Sequence, residues 1–431
     1  MPGVSTFAGN PPGIFAYTGD ISYNRSAMKT YNAPKGTRDI AGEEAARFSR
    51  VSRIFEESAR LYGYGLINTP IFEDTALFER TIGGASDIVQ KQMYTFLDKA
   101  DRSLTLRPEG TAPVARAAIA GGLLRPLPCR LYYSGAMFRY EKPQKDRKRQ
   151  FFQVGAEYFG DKSAFADLEV ISLCSTVLKK LGLDCDLKLN SIGCSKCRSG
   201  YEKKLTAFAE KKIDGLCDDC GERLRVNPLR ILDCKVESCK KILAEAPDVS
   251  EALCPECADN FGQIKQGLRD RKIRFNEDVK LVRGLDYYNG CVFEFYAQGA
   301  RDAVAAGGRY DGLVKLLGGE DVPAAGFAIG VDRVMPLIDF SADKPDYMLV
   351  SAGAPMDALA AFADEIRDAG KVCVISSKPK LKNALKEASA ASFRFALIMG
   401  EDEIKNMTVS VRDMEKGEQK TLSRKEFLER L

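Results

Sequence analysis

Residues 130–160 read RLYYSGAMFRYEKPQKDRKRQFFQVGAEYFG. Two aromatic-rich runs, 130–141 and 149–160, flank the polar stretch KPQKDRK, the pattern of a long antiparallel hairpin with a basic loop. Six basic residues and two acidic ones fall within 139–149. Strand alternation places Phe152 on the face opposite Phe151 and Gln153, so Phe152 is expected to pack.

Working outward from the hairpin, Phe48, Val51, Ile54, Phe55, Ala59 and Tyr62 recur at helical spacing over 43–62, and Gly63 and Gly65 stop that helix. LINTPIF comes next as a strand interrupted at Pro70, which places it at a sheet edge or an interface. MYTFLD and SLTLRPEG read as strands, and 162–182 as an amphipathic helix. KLVRGLDYYNGCVFEFYA and AGGRYDGLVKLLGG resume a strand-rich scaffold, and GFAIGVDRVMPLI reads as a strand turning into a helix. Between these blocks the composition shifts: eight of the thirteen cysteines fall in 192–262. After Asp343-Lys344-Pro345, strands and helices alternate to the end, as in a separate α/β domain. The expected organisation is a flexible extension over 1–30, an α+β domain from 31–191 and 263–343 built on an antiparallel sheet flanked by helices, an inserted Cys-rich module over 192–262, and an α/β domain over 344–431. Met28 offers an alternative start.

Composition narrows the chemistry. The 431-residue chain contains no histidine and no tryptophan. A Ser-His-Asp or Cys-His nucleophile, a His-containing zinc site and an imidazole acid or base are therefore excluded. A net charge of +4 confines any nucleic-acid footprint to local patches. No apolar run approaches the ~18 residues of a membrane span. The start of the chain lacks the pattern of a secretory signal, and the paired cysteines suit a reducing cytoplasm.

Neither G-x-x-x-x-G-K-[ST] nor G-x-G-x-x-G occurs. Arginine stands out instead: Arg139 at the hairpin, Arg283 in VRGLDYY, Arg309 in GGRYDG and Arg333 in GVDRV. A guanidinium binds phosphate oxygens bidentately and stabilises charge on a phosphoryl group, so a nucleotide site can be built without histidine. Each of these arginines alone reads first as a surface salt-bridge partner, and only the four together, in compact strand-turn contexts, bring the phosphate reading level with it. Cys194-x2-Cys197 and Cys217-x2-Cys220 are 19 residues apart, within the spacing of a tetrathiolate zinc site. Cys234-x4-Cys239 and Cys254-x2-Cys257 could make a second set. The alternative is a metal-free insert whose cysteines pack as small hydrophobes. SSKPKLKNALK carries Lys378, Lys380 and Lys382 beside a helix start, read either as a solvated face or as a contact for nucleic-acid phosphates.

These segments carry a family resemblance. FRYEKPQKDRKRQFFQVGAEYFG resembles the second signature motif of class II aminoacyl-tRNA synthetases, AAGFAIGVDRV their third, and the helix and strand ending at Pro70 their first. LVRGLDYYNGCVFEF and AAGGRYDGL resemble the two segments peculiar to histidyl-tRNA synthetases, TLRPEGTAPVARA their amino-acid loop, and the last 85 residues their anticodon-binding domain. The resemblance implies a homodimer that uses ATP with Mg²⁺, L-histidine and tRNA(His). It implies that Arg139 binds the ATP α-phosphate, Arg333 the γ-phosphate, and Arg283 the α-phosphate in a charge-stabilising role. It implies that Glu109, Thr111 and Gln153 orient the amino acid's ammonium and carboxylate, that Glu157 and Tyr288 read the imidazole, and that Tyr287 and Tyr310 line the pocket. The family commonly has histidine where this chain has Phe152. A regulatory subunit of histidine biosynthesis is a rival reading, but such paralogues typically lack the anticodon domain and the arginine of RGLDYY. A catalytically silent tRNA sensor is the other, and it would be expected to have lost Arg139, Glu157 or Arg333.

Overall fold

The computed structural model describes residues 31–83, 86, 88–141, 148–339 and 344–431. The expected extension over 1–30 and nearly all of the basic hairpin loop lie outside the described residues.

The helix Gly42–Leu61 buries Val51, Phe55 and Ala59 at intervals of four, and Glu43 and Glu44 in its first turn suit the positive end of its dipole. The segment after this helix is not one strand. Gly65–Leu66 pairs in parallel with Cys129–Phe138, whereas Phe72–Asp74 joins a separate three-stranded sheet with Ser103–Leu106 and Tyr94–Leu97. Pro70, which cannot donate to a ladder, stands at the transition. Arg107 fixes it: Nη1 donates to the Thr69 carbonyl at 3.0 Å and Nε to the Ala136 carbonyl at 2.9 Å.

The hairpin forms over Cys129–Phe138 and Gln150–Phe159 and is the centre of an eight-stranded sheet. Next to Gln150–Phe159 come Ala324–Gly330, Ala305–Arg309, Asn289–Ala297, Cys185–Ser191 and Phe275–Glu277. The pairings are antiparallel except at the two edges, where Gly65–Leu66 and Phe275–Glu277 run parallel to their neighbours. One face of this sheet packs on Gly42–Leu61, Ala164–Lys180 and Pro255–Asp270. Phe152 belongs to that face, edge-on to Phe48 with ring centroids 4.9 Å apart. Pro255–Asp270 runs across residue 262 and sends Phe261, Ile264 and Leu268 into this core.

The Cys-rich stretch folds into Ser195–Glu210, Asp218–Val226 and Glu237–Leu243 with short 3-10 turns between them, around a small core that includes Tyr201, Leu205, Ile231 and Leu243. At the C-terminus, Cys373–Ile375, Tyr347–Ala352 and Phe395–Gly400 run parallel, and Thr408–Asp413 and Gln419–Ser423 complete a five-stranded sheet in antiparallel fashion. Met356–Asp368 and Leu381–Ala390 pack against it.

Candidate active site

The second face of the large sheet carries the polar residues. Gln153 and Glu157, four apart on one strand, share a face and lie opposite Gly330 and Gly326 of the neighbouring strand. Those glycines leave room for the longer side chains. A Cβ on Gly326 would collide with Oε2 of Glu157 and with the Tyr310 hydroxyl.

Glu157 is fully buried. Its Oε1 accepts from the Thr111 hydroxyl at 2.8 Å, and its Oε2 accepts from the Tyr310 hydroxyl. Burial pushes its pKa up to about 8, although the two hydroxyls favour the charged form. Beside it, Glu109 accepts from the backbone N–H of Thr111 at 2.7 Å and of Ala112 at 2.8 Å, at the N-terminus of the helix Thr111–Ala120. Burial raises this carboxyl too, and the backbone bonds oppose the rise. Tyr287, Tyr288 and Tyr310 close the pocket as a cluster of buried rings with centroids 4.8–6.0 Å apart. The fold therefore brings Glu109, Thr111, Glu157, Tyr287, Tyr288 and Tyr310 together, with Gln153 on the same sheet face.

The arginines separate into two kinds. Arg139 sits just past the end of Cys129–Phe138; its Nε donates to the Pro108 carbonyl at 2.9 Å and its guanidinium lies 5.3 Å from the Phe151 ring centroid. Burial lowers its pKa, with Glu141 and Glu109 acting against the drop and Arg333 adding to it. Arg333 opens the turn after Ala324–Gly330 and donates to the Ala303 carbonyl at 2.6 Å. Its neighbour Asp332 ties that turn to the hairpin by accepting from the Phe152 N–H at 2.7 Å. Arg283 pairs with Glu294; burial pulls its pKa down, and Glu294 together with Tyr288, Asp233 and Tyr287 more than offsets that, leaving it raised. Three buried polar atoms on this side, Gln153 Oε1, Arg283 Nε and the Tyr133 hydroxyl, have no hydrogen-bond partner among the described residues. Such groups cost about 1–3 kcal/mol each unless a ligand satisfies them.

Arg309 belongs to the other kind. It is buried against Asp167 and also donates to Asp311 and to the carbonyls of Asp161 and Ser163. Its charge is consumed inside the fold, so it is a structural residue and not a phosphate ligand. Its spacing in GGRYDG gave no sign of this, because its partner lies 142 residues away. Arg107 and Glu294, which hold site segments in place, stand inside TLRPEGTAPVARA and LVRGLDYYNGCVFEF with no role read for them, and Asp167 lies outside every motif. The acidic residue in VFEF, on the strand that directly succeeds VRGLDYY, was the one available signal for Glu294.

The cysteines pair differently from their order in the chain. Cys194 and Cys197 meet Cys254 and Cys257, and Cys217 and Cys220 meet Cys234 and Cys239; within each set all sulfurs lie within 4.8 Å of one another. The expected pairing of 194/197 with 217/220 is therefore replaced by a nested one. The physical reason is that the insert leaves and rejoins the scaffold at adjacent points, so its first and last pairs close its neck. Among the described residues these two sets are the groups of three or more His, Cys, Asp or Glu able to hold one ion. Lys378 and Lys380 lie just before the helix Leu381–Ala390 and Lys382 on its first turn, all three exposed and far in sequence from the pocket.

An antiparallel sheet backed by helices, with an acidic, tyrosine-lined pocket and with the arginine of the hairpin and that of the strand-to-helix turn near enough to feel each other's charge, defines the catalytic domain of a class II aminoacyl-tRNA synthetase. Residues 36–334 match the histidyl-tRNA synthetase family and 347–431 match an anticodon-binding domain. The histidine–tRNA ligase of Moorella thermoacetica is 45% identical over 90% of this chain and 94% of its own. That of Thermosipho melanesiensis is 44% identical over 91% and 96%. The crystal structure of apo S. aureus histidyl-tRNA synthetase aligns at a TM-score of 0.76 and 33% identity, covering 93% of this chain and 99% of that one. This chain belongs to the histidyl-tRNA synthetase family. No described helix is long and apolar enough to cross a membrane.

Proposed function

We propose that the pocket around Glu157 takes L-histidine, and that the chain activates it with ATP and transfers it to the 3′ end of tRNA(His). The carrying observation is the pairing of an ionisable, fully buried carboxyl with Thr111 and Tyr310, next to the orphaned Gln153 Oε1 and Arg283 Nε. Glu157 and Tyr288 address the two ring nitrogens of the substrate imidazole. A ligand lacking those nitrogens would strand buried polar groups, a penalty that supports rejection by ~10⁴–10⁵. Glu109 and Gln153 hold the ammonium and carboxylate, and Thr111 keeps Glu157 oriented.

In the chemical step the histidine carboxylate attacks the α-phosphorus in line and pyrophosphate leaves. Arg139 and Arg283 stabilise charge on the α-phosphate, and Arg333 holds the γ-phosphate. Mg²⁺, when bound, neutralises charge on the β- and γ-phosphates. The described residues form no carboxylate cage, which fits an ion carried on the nucleotide with its waters. The acyl group then passes to a terminal ribose hydroxyl of tRNA.

Lys378, Lys380 and Lys382 are assigned to tRNA phosphates. A second copy of the chain is assigned to the exposed apolar surface of the Pro70 segment, where Ile71 and Phe72 are 48% and 51% exposed. The site of action is the cytoplasm. Charging of tRNA(His) with each labelled amino acid tests the reading: histidine alone should be transferred, and preferential transfer of another would overturn it.

A further inference from the structure

The insert carries two cysteine clusters that the activation chemistry does not use. We propose that each holds one Zn²⁺ through four thiolates, and that the two ions set the position of the loop bearing Arg283, Tyr287 and Tyr288. Structural zinc takes four thiolates at about 2.3 Å in a tetrahedron, whose edge is then about 3.8 Å. Sγ of Cys194 lies 3.6 Å from that of Cys197, and Sγ of Cys217 lies 3.8 Å from that of Cys234. These separations match the tetrahedron's edge and far exceed the 2.03–2.05 Å of a disulfide. All thirteen cysteines are free.

Backbone donors complete each cluster. The Cys254 N–H donates to Cys197 Sγ at 3.1 Å, and the Cys217 N–H to Cys239 Sγ at 3.2 Å. Such bonds offset the two negative charges left when four thiols lose four protons to water and the four thiolates bind one Zn²⁺. The packing calls for such a staple. Two of the insert's helices are short, and its core holds one Tyr, one Ile and four Leu with a few smaller side chains, three of the four inner cysteines among them. A unit of this size gains much of its stability from a metal.

The outer cluster closes the neck of the insert, and Arg198 is the residue next to one of its ligands. The inner cluster fixes the far end of the turn Pro228–Asp233, which carries Arg230 and abuts Cys234. Both reach the same loop. Arg230 donates to the Gly284 carbonyl at 2.6 Å, Asn227 Nδ2 to Asp286 at 2.7 Å, and Arg198 to the Asp286 carbonyl at 3.2 Å. Gly284 and Asp286 stand between Arg283 and Tyr287, so Arg198, Asn227 and Arg230 are positioning residues for the histidine pocket. This second half rests on the assignment of that pocket to histidine.

Zinc content of the purified full-length protein, measured by plasma mass spectrometry, tests the first half without any reaction. Two zinc per chain is the expected result, and replacement by Co²⁺ should give the visible bands of tetrahedral cobalt thiolate. One zinc per chain, none, or disulfides in the freshly purified protein would overturn it. The paired variants C234S/C239S and C254S/C257S should each retain one zinc. For the second half, R230A should keep both ions while raising the KM for histidine about tenfold, the cost of one lost charged hydrogen bond, with the KM for ATP within about twofold. Equal changes in both KM values, or neither, would overturn the positioning role and leave the zinc result standing on its own.

Discussion

The Thr111 hydroxyl donates a 2.8 Å hydrogen bond to Oε1 of Glu157, joining the first residue of the helix Thr111–Ala120 to the hairpin strand Gln150–Phe159. That bond fixes the buried carboxyl in one orientation before any substrate arrives. Replacing Thr111 by Val keeps the shape and removes the donor. The KM for histidine should rise about tenfold, the worth of one hydrogen bond to a buried carboxyl, with the KM for ATP nearly unchanged. Steady-state pyrophosphate exchange measures both, and equal KM values in variant and wild type would remove Thr111 from the site.

The raised pKa of Glu157 gives a pH signature. With a value of about 8 in the free protein, the carboxyl is largely neutral at pH 7 and ionises as pH rises through 8. If the carboxylate is the form that receives the imidazole N–H, kcat/KM for histidine should climb over about pH 7–8.5, since that ratio reports free-enzyme ionisations. E157Q should lower kcat/KM and flatten this limb. A limb of the same midpoint in E157Q would assign it to another group.

Gly326 tests the geometry with one atom. G326A drives a methyl into the Glu157 carboxyl and the Tyr310 hydroxyl. Histidine activation should fall by at least 100-fold, while the far-ultraviolet circular dichroism of the chain is retained. Activity within tenfold of wild type would mean that this pair is not where the substrate sits.

Arg309 and Asp167 predict a loss of a different kind. D167A leaves a buried guanidinium without its main partner, and such breaks cost about 3–5 kcal/mol. Urea denaturation should show the loss, with the KM for ATP in the folded fraction unchanged. A selective rise in the KM for ATP with unaltered stability would return Arg309 to the nucleotide site.

Much of this was legible because local pattern and tertiary use coincide. The period-two alternation around Gln153 separates the Phe152 face from the substrate face, and the sheet pairs the strand accordingly. The helix before Pro70 and the strand-to-helix turn at Arg333 also announce themselves by spacing. What spacing does not carry is the choice among distant partners. Arg309 and Arg139 look alike in sequence, and only the fold gives one of them Asp167. The cysteine pairs are regular enough to suggest zinc, yet their nesting depends on where the insert's two ends meet. Cys185–Ser191 and Phe275–Glu277 belong to no motif in the sequence, and they are strands because they pair at one end of an existing sheet.

Histidine-dependent exchange of labelled pyrophosphate into ATP by the full-length protein tests the central claim most directly. Exchange should require histidine, should fail with each of the other nineteen amino acids, and should be lost in R283A and E157A. Exchange driven by another amino acid, or none from folded protein supplied with ATP, Mg²⁺ and histidine, would contradict it.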